Sequence, residues 1–471
     1  MESNQRALDT VFINTINTPA NLVEAHEKLT NTVVKKSNII YGLTGLSNMM
    51  NTCYMNSAIQ AFSHLYLLRD YFFKNKNEII KILKNNARII FKDVDAFDLK
   101  KISSVPMELR QKIQNETYSP SMLTQDEEII VLNHTMTYHL IVLLENMWKK
   151  NCVIEPVSFR KVFSDARDKF FFGFEQHDSE EAYSCVLQKI QEELAEKKIV
   201  KFKTHKTSVE HFLAFKNDIT SKIQSSPDKS MKEKLLNFYL QKKKEMPDES
   251  LIIEAFREMQ TYYSHAYSRI SEIFSGFLYS RMECPECNFF SNKFDPFLHI
   301  ALPLPKKTSM FQQLTIDDCM TEFCKQEVLD ENNLWNCEMC KKGVKASKRF
   351  RLWTAPPVLV IQFKRFIYQG TTRIKDSRMI TYPMENFDIS PMVASVQLEQ
   401  PGKCFKYTLQ CVVNHFGGLQ GGHYYSYCRD EDSNRWFKFD DKVVTEIKRH
   451  TDIVTPTAYF LFYIREDMLK P

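Results

Sequence analysis

A cysteine and a histidine far apart in the chain each stand beside glycines, which are otherwise scarce. Only 11 of the 471 residues are glycine, and four of these lie between residues 417 and 422, directly before His423. Two others, Gly42 and Gly45, precede Cys53. Glycine lets a second backbone approach closely, and a thiol with an imidazole is the minimum set for nucleophilic catalysis. The pattern indicates a thiol-dependent catalytic site, with a glycine-rich hairpin and an incidental histidine as the alternative.

Cys53 is expected to lie in the first turn of a helix. Asn51 or Thr52 can cap this helix. Its apolar residues recur at three- and four-residue spacing, at Met55, Ile59, Phe62 and Leu65. The helix dipole and the free N–H groups of the first turn favour a thiolate. The alternative is a buried structural cysteine, which is the usual state of any one of twelve cysteines.

The segment that follows His423 can return a carboxylate to the imidazole. A strand, a turn and a second strand would bring Asp440 back beside His423. A carboxylate in that place fixes the imidazole tautomer and stabilises its charged form. Because aspartate is common in turns, a simple turn is the alternative for Asp440 and Asp441.

Two Cys-x-x-Cys pairs, Cys284 with Cys287 and Cys337 with Cys340, can supply four thiolates to one tetrahedral zinc ion. An apolar run precedes each pair, which is typical of two strand hairpins joined by a metal. The gap between the pairs is longer than in compact zinc sites. Redox dithiols and unligated cysteines are therefore the alternatives.

The composition is that of a folded protein without a strong charge bias. Hydrophobic residues make up 43% of the chain, and 63 basic against 58 acidic residues give a net charge of +5. This charge is too small to predict binding to nucleic acid or to a membrane. No secretory signal is visible and no apolar run approaches the length of a membrane span. We therefore expect an intracellular protein, cytoplasmic or nuclear, with reduced cysteines.

The pattern of elements changes along the chain. Residues 1–38 are typical of a polar extension, residues 74–122 of an irregular exposed segment, and residues 196–250 of a solvated helical insertion. Thr124 can cap one long helix that runs to about Trp148. Short β-like runs bounded by Pro, Asn and Gly begin after about residue 270. Helices followed by strands predict an α+β fold.

Five blocks of the sequence, in order, resemble the ubiquitin-specific proteases. The stretch from Gly45 to Gln60 resembles the cysteine box of that family, and the stretch from Gly421 to Asp441 resembles its histidine box. The five blocks are residues 42–69, 156–195, 273–305, 334–366 and 403–465. The extension and the two lysine-rich insertions fall outside the resemblance.

The resemblance implies a papain-like catalytic domain over residues 39–471, built as thumb, palm and fingers. The thumb would span about 39–195, a charged insertion about 196–265, the fingers about 270–345 and the palm about 346–471. The two Cys-x-x-Cys pairs would hold one structural zinc ion in the fingers.

The resemblance also implies a thiol protease whose partners are ubiquitin and ubiquitinated proteins, and which cleaves after the C-terminal di-glycine of ubiquitin. Cys53 would attack the scissile carbonyl. His423 would act as base and then as acid, with Asp440 orienting its ring. Asn48 matches the position whose amide helps to stabilise the oxyanion.

The same family match assigns residues that contact the tail of ubiquitin. Gly421 and Gly422 would line a channel too narrow for side chains. Asp178 and Glu181 match an acidic region that meets the basic tail of ubiquitin. A helix cap is the alternative for these two acidic residues, and one residue can serve both purposes.

Some residues depart from the family pattern. Met50 replaces a frequent glycine in the cysteine box, which bears on how that loop approaches the oxyanion. Four substitutions near Asp178 bear on affinity for the ubiquitin tail: His177, Ser179, Ala182 and Tyr183. Two other functions stay open, namely a ubiquitin-binding scaffold without turnover and a thiol protease for a ubiquitin-like modifier.

Overall fold

The structure is a computed structural model, and the residues that it describes carry a mixture of helices and antiparallel strands. They are residues 40–91, 105–166, 171, 173, 175–199, 201, 206–306, 313–369, 372–399, 402–418 and 421–470. The expected N-terminal extension, residues 1–38, lies outside them. None of the described helices combines the length and the apolar composition that crossing a bilayer requires.

The α-helices occupy mainly the first part of the chain. They are α1 Cys53–His64, α2 Tyr66–Lys74, α3 Lys76–Asn85, α4 Ala87–Ile90, α5 Met107–Gln114, α6 Gln125–Asn133, α7 Met136–Lys149, α8 Val157–Asp165, α9 Ser179–Glu193, α10 Thr207–Ser225, α11 Lys229–Glu245, α12 Pro247–Ala266, α13 Arg269–Phe274, α14 Ile316–Phe323 and α15 Ser395–Leu398.

The strands lie mainly in the second part, as expected for an α+β fold. They are β1 Gly45–Leu46, β2 Val153–Ile154, β3 Gly276–Glu283, β4 Phe290–Phe297, β5 Ile300–Leu302, β6 Leu314–Thr315, β7 Glu327–Val328, β8 Trp335–Cys337, β9 Lys342–Val344, β10 Ser347–Thr354, β11 Val358–Phe363, β12 Phe366–Gln369, β13 Thr372–Lys375, β14 Ile380–Thr381, β15 Phe387–Asp388, β16 Lys406–Gly417, β17 Gly422–Arg429, β18 Trp436–Asp440, β19 Val443–Ile447 and β20 Ala458–Arg465.

The palm is an eight-stranded sheet with the order β19-β18-β17-β16-β20-β11-β5, in which β15 also pairs with β16. Strand β20 shows how the sheet separates two cores. Phe460 and Phe462 face the core formed with the thumb helices, whereas Leu461 and Tyr463 face a second core on the other side. This alternation follows from the two-residue period of a strand.

Helix α1 lies inside the molecule, between the sheet and the other thumb helices, and all of its residues are buried. Two hydrogen bonds fix it to its neighbours. Ser426 Oγ of β17 donates to the Ser57 carbonyl at 2.8 Å, and Gln60 Nε2 donates to the Thr44 carbonyl at 2.8 Å. A helix held from both sides gives its first residue, Cys53, a fixed position.

The structure corrects two expectations about the thumb. Residues 74–122 are not simply irregular, because their described part contains α3, α4 and α5. The long helix expected from Thr124 is broken into α6 and α7. The new helix begins after Thr135, whose side chain caps α7 by accepting a hydrogen bond from the Tyr138 N–H. The buried carboxylate of Glu193 accepts two more, from the backbone N–H groups of Met136 and Thr137 at 2.9 and 2.8 Å.

The described part of residues 196–250 is helical as expected, in α10 and α11, and the helix that follows, α12, is partly buried. Helix α12 packs on the fingers sheet, whose strand order is β4-β3-β10-β7. Phe256 and Met259 of α12 share one apolar cluster with Phe294 and Trp353 of that sheet. The fingers are therefore supported along one face by the insertion.

Candidate active site

Cys53 is the first residue of α1, as expected, but it is almost fully buried, with 4% of its surface exposed. Burial raises the pKa of its thiol above the usual value, and the backbone N–H of Tyr424 offsets that rise only in part. Burial therefore opposes the thiolate that the helix start is expected to favour.

His423 and Asp440 are brought together by the return of β18 along β17. His423 Nε2 lies 2.6 Å from Asp440 Oδ1, and Lys438 Nζ lies 2.7 Å from Asp440 Oδ2. Burial opposes the charge on Asp440, but these two partners hold the pKa of the carboxyl below its ordinary value. Lys438 escaped the sequence analysis, although its place two residues before Asp440 puts both side chains on one face of β18.

Cys53 and His423 belong to one site. The thiol lies beside the backbone N–H of Tyr424, the residue that follows His423. Within the described part of the chain, no hydrogen bond joins the Cys53 thiol to the imidazole. Thiol proteases often complete this contact only when the substrate is bound.

The loop before Cys53 is held in an unusual shape. Met50 and Asn51 both have left-handed backbones, with φ of 60° and 58°. Asn48 Oδ1 accepts a hydrogen bond from the Thr52 N–H at 2.9 Å, and Thr52 Oγ1 accepts one from the Met49 N–H at 2.9 Å. These bonds fix the side-chain amide of Asn48 close to the start of α1.

Asp441 ties this loop to the sheet. Its carboxylate accepts hydrogen bonds from Asn48 Nδ2 and from Asn56 Nδ2, both at 2.9 Å, and its carbonyl accepts one from the Leu46 N–H at 2.9 Å. Asp441 has φ of 48°, which turns its side chain away from the direction that strand alternation gives. From sequence, Asp441 is expected to matter less than Asp440 unless it supports the oxyanion loop, and its contact with Asn48 gives it a partner in that loop.

The glycine-rich turn between β16 and β17 contains two kinds of glycine. Gly417 has φ of 97°, and a Cβ on Gly422 would collide with the His415 ring, so the fold itself requires both glycines. A Cβ on Gly418 or Gly421 would meet no atom within 4 Å. The fold therefore does not require glycine at these last two positions.

Asp178, one of the two acidic residues expected at the ubiquitin tail, contacts the sheet close to this turn. Asp178 caps α9 by accepting from the Glu180 N–H at 2.9 Å, and it accepts from the hydroxyls of Tyr459 at 2.7 Å and Tyr424 at 3.3 Å. Burial raises the pKa of Asp178. Glu181, in the same helical turn, is only half-buried. Asp178 is therefore the helix cap, and it also contacts the residue that follows His423.

Gln176 connects the two walls of the cleft. Its Oε1 accepts a hydrogen bond from the Gly422 N–H at 3.2 Å. The structure therefore brings together six of the expected residues around one cleft: Asn48, Cys53, Asp178, Gly422, His423 and Asp440.

The four cysteines of the two Cys-x-x-Cys pairs form a separate cluster at the tip of the fingers. The Sγ atoms of Cys284 and Cys340 are 3.8 Å apart, those of Cys287 and Cys337 are 3.6 Å apart, and all four lie within 4.8 Å of one another. Tetrahedral zinc with Zn–S bonds of about 2.3 Å requires S···S separations of about 3.8 Å. The thiols are therefore placed as a tetrahedral metal site requires, and the cluster can hold zinc.

Comparison with known proteins gives a consistent result. The family model described as ubiquitin carboxyl-terminal hydrolase matches residues 44–463. A probable ubiquitin carboxyl-terminal hydrolase of Acanthamoeba polyphaga mimivirus is 51% identical over 434 residues, which are 91% of this chain and 92% of that protein.

Two further comparisons are more distant. Human ubiquitin carboxyl-terminal hydrolase 2 is 26% identical over 428 residues, which are 90% of this chain but only 55% of the human protein. This chain thus spans about half the length of that relative. A solved chain of the SAGA deubiquitinase module bound to monoubiquitin has a TM-score of 0.56 and 18% identity, and the match covers 98% of this chain and 76% of that one. The likeness supports the thumb, palm and fingers fold. On the family model and the viral relative, the chain belongs to the ubiquitin carboxyl-terminal hydrolase family, whose members are cysteine-type deubiquitinases.

Proposed function

We propose that Cys53, His423, Asp440 and Asn48 hydrolyse the peptide or isopeptide bond after the C-terminal glycine of ubiquitin. The contact between His423 Nε2 and Asp440 Oδ1 at 2.6 Å, beside the helix that begins at Cys53, carries this proposal. A carboxylate on one imidazole nitrogen leaves the other nitrogen free to take the proton of a thiol.

In the reaction, the Cys53 thiol transfers its proton to His423 as its sulfur attacks the scissile carbonyl. The proton then passes from His423 to the leaving amine, and the C–N bond breaks. A water molecule, deprotonated by His423, hydrolyses the resulting thioester and regenerates the thiol. The raised pKa of the buried thiol makes this general base necessary, because little thiolate forms without it.

Asn48 would stabilise the oxyanion with its side-chain amide. One N–H of Nδ2 is bonded to Asp441, and the other is available to a developing negative charge. Because Asp441 and the Thr52 N–H hold the amide from both ends, little reorganisation is needed during the reaction.

The di-glycine tail of ubiquitin would lie along the glycine turn, between Gly421, Gly422 and the α9 side of the cleft. Gly418 and Gly421 support this placement. The fold does not require glycine at either position, and the absence of a side chain there leaves space for the tail. Asp178 and Glu181 would give the entrance a negative charge that complements the basic tail. Asp178 already accepts three hydrogen bonds, so a carboxylate lone pair remains for such a contact.

The four clustered cysteines would hold zinc, which would cross-link the two hairpins of the fingers and leave no open coordination position for catalysis. The two hairpins present their cysteines in the same manner. In each hairpin, the residue after the second cysteine has a left-handed backbone, with φ of 56° at Asn288 and 58° at Lys341.

A ubiquitin derivative with an electrophile at its C-terminus tests the proposal. We expect the full chain to form a covalent adduct at Cys53, located by mass spectrometry of the digested adduct. The Cys53→Ala variant should bind ubiquitin without forming the adduct, while Cys152→Ala, at an exposed cysteine, should react normally. Binding of ubiquitin without adduct formation by the unaltered chain would favour a scaffold without turnover. A faster reaction with the matching probe of a ubiquitin-like modifier would favour that modifier.

A further inference from the structure

Three large apolar side chains are exposed around β1 and the loop that leads to Cys53. They are Met50, Val153 and Val443, which are 62%, 52% and 51% exposed. We call these three residues the leaving-group patch. None belongs to the cores that hold the fold together.

Backbone contacts place the three residues around one short strand. In β1, Gly45 pairs with Val153 of β2, and the Leu46 N–H donates to the Asp441 carbonyl at 2.9 Å. Gly45 packs so tightly on the Lys442 backbone that a Cβ would collide with it, and Val443 is the next residue. Val153 and Val443 therefore flank β1 on its two sides.

Met50 joins this group through the loop before the nucleophile. Asn48 lies two residues before Met50, and Asp441 lies two residues before Val443. A hydrogen bond of 2.9 Å joins Asn48 to Asp441. The loop that carries Met50 thus runs directly over the turn between β18 and β19.

The order of strands assigns the patch to one side of the catalytic histidine. His423 is the second residue of β17, and β17 lies between β16 and β18 in the sheet. The glycine turn joins β16 to β17, whereas β19 and the Asp441 turn lie beyond β18. The patch and the glycine turn are therefore on opposite sides of His423.

The backbone of Met50 makes this residue unusual. A left-handed φ of 60° disfavours every residue with a Cβ, and Met has no side-chain group that offsets the strain. Its exposure shows that interior packing does not explain its presence. Strained, exposed residues beside a reactive group are typical of ligand contacts.

We infer that the leaving-group patch binds the polypeptide that carries the linked lysine, and that it favours lysines flanked by apolar side chains. This inference rests on the proposed function. The bond that breaks joins the ubiquitin carbonyl to an amine. With the tail on the glycine side of His423, the amine and its polypeptide extend across the other side, onto Met50 and Val443.

Two substrates that share ubiquitin and differ only next to the linked lysine test the inference. Each is ubiquitin joined by an isopeptide bond to a short lysine peptide, flanked by leucine in one and by serine in the other. We expect the unaltered chain to cleave the leucine peptide with a kcat/KM roughly 5- to 10-fold higher, as partial burial of one apolar side chain provides. The ratio cancels any change in the nucleophile itself.

Met50→Asn and Val443→Ser should each bring the ratio close to one. Asparagine tolerates a left-handed backbone, so the first variant removes the apolar surface while keeping the loop shape. Met231→Asn, at a methionine of α11 that is 50% exposed, is the matched control and should keep the ratio of the unaltered chain.

The outcomes separate the two proposals. If the unaltered chain cleaves neither conjugate, the proposed function fails and the inference fails with it. If it cleaves both equally, or if Met50→Asn and Val443→Ser keep the full ratio, the function stands and the inference is wrong.

Discussion

The catalytic cleft and the tip of the fingers use the same residue type for opposite purposes. At the tip, four cysteines are presented by two local turns, in which Asn288 and Lys341 bond back to the first cysteine of their pair at 3.0 and 2.8 Å. In the cleft, the helix that begins at Cys53 is held by partners far away in the chain. One of them is Asp441, whose carboxylate accepts a hydrogen bond from Asn56 of that helix, 385 residues earlier. Each pair of clustered cysteines is thus shaped by its own turn, whereas the position of Cys53 depends on contacts from distant parts of the chain.

This contrast gives a simple expectation. Changes in the cleft should act mainly on kcat, because the groups there act in the transition state. Changes at the tip of the fingers should act mainly on KM and on stability.

The largest effect is expected from Cys53→Ala, which removes the nucleophile. Hydrolysis of a fluorogenic ubiquitin substrate should fall by roughly 10⁴-fold or more, while the dissociation constant for ubiquitin, measured by calorimetry, stays within a few-fold. Cys152→Ala is the control. Hydrolysis well above background in Cys53→Ala would assign the nucleophile to another residue.

Asp440→Asn should come next, with a fall in kcat on the order of 10³-fold, because asparagine can stabilise the wrong imidazole tautomer. Steady-state kinetics measure it, with Asp432→Asn in the exposed turn between β17 and β18 as the control. Lys438→Met should be milder, since His423 keeps its carboxylate partner. A larger loss at Asp441 than at Asp440 would show that the other carboxylate is the orienting one.

Asn48→Ala should lower kcat by roughly 10²-fold, which is typical of one oxyanion donor. From sequence, Asp441 is expected to matter less than Asp440 unless it supports the oxyanion loop, and its contact with Asn48 meets that condition. Asp441→Asn should therefore lower kcat through Asn48. In the double variant the two losses should not add, and full additivity in kcat would mean that Asp441 acts elsewhere.

A change at the metal site should have a smaller effect on turnover. Cys337→Ser should raise KM for ubiquitin on the order of tenfold and lower the melting temperature, because the binding energy of the metal belongs to the folded state. Cys324→Ser, at a half-buried cysteine outside the cluster, is the control. Elemental analysis of the active, unaltered chain should find about one zinc per chain. The absence of zinc would contradict the proposed metal site.

The smallest effect concerns the resting thiol. Because burial raises the pKa of Cys53, the thiol is protonated near neutral pH, and its alkylation by iodoacetamide should accelerate steadily as the pH rises above about 7. The rate is followed by mass spectrometry of the peptide that contains Cys53. A rate that is already maximal at neutral pH would mean that a thiolate exists before substrate binds.

Features that depend on neighbouring residues were predictable from sequence. The return of Asp440 to His423 and the two cysteine hairpins follow from strand alternation and local spacing. These are short-range properties of the backbone. Helix α1 begins at Cys53 as expected, but the side chain of Thr52 makes no capping bond to it.

Features that depend on distant partners were not predictable. The carboxylate of Glu193 that supports the start of α7 comes from 57 residues away, and the raised pKa of Cys53 depends on its burial in the folded chain. The bond from Asp441 to Asn48 requires a left-handed aspartate, and strand alternation alone does not predict it.

The long separation between Asn48 and Asp441, 393 residues, has a consequence for how the enzyme is made. A ribosome releases Cys53 and its helix early, well before the strands that cover them. Strand β20 comes later still, yet it lies between β16 and β11 in the middle of the sheet. A nascent chain that lacks β20 leaves β16 and β11 without the strand that lies between them, and unpaired strand edges are prone to aggregation. The sheet that covers the reactive cysteine is therefore completed in its interior by the strand of that sheet that is made last.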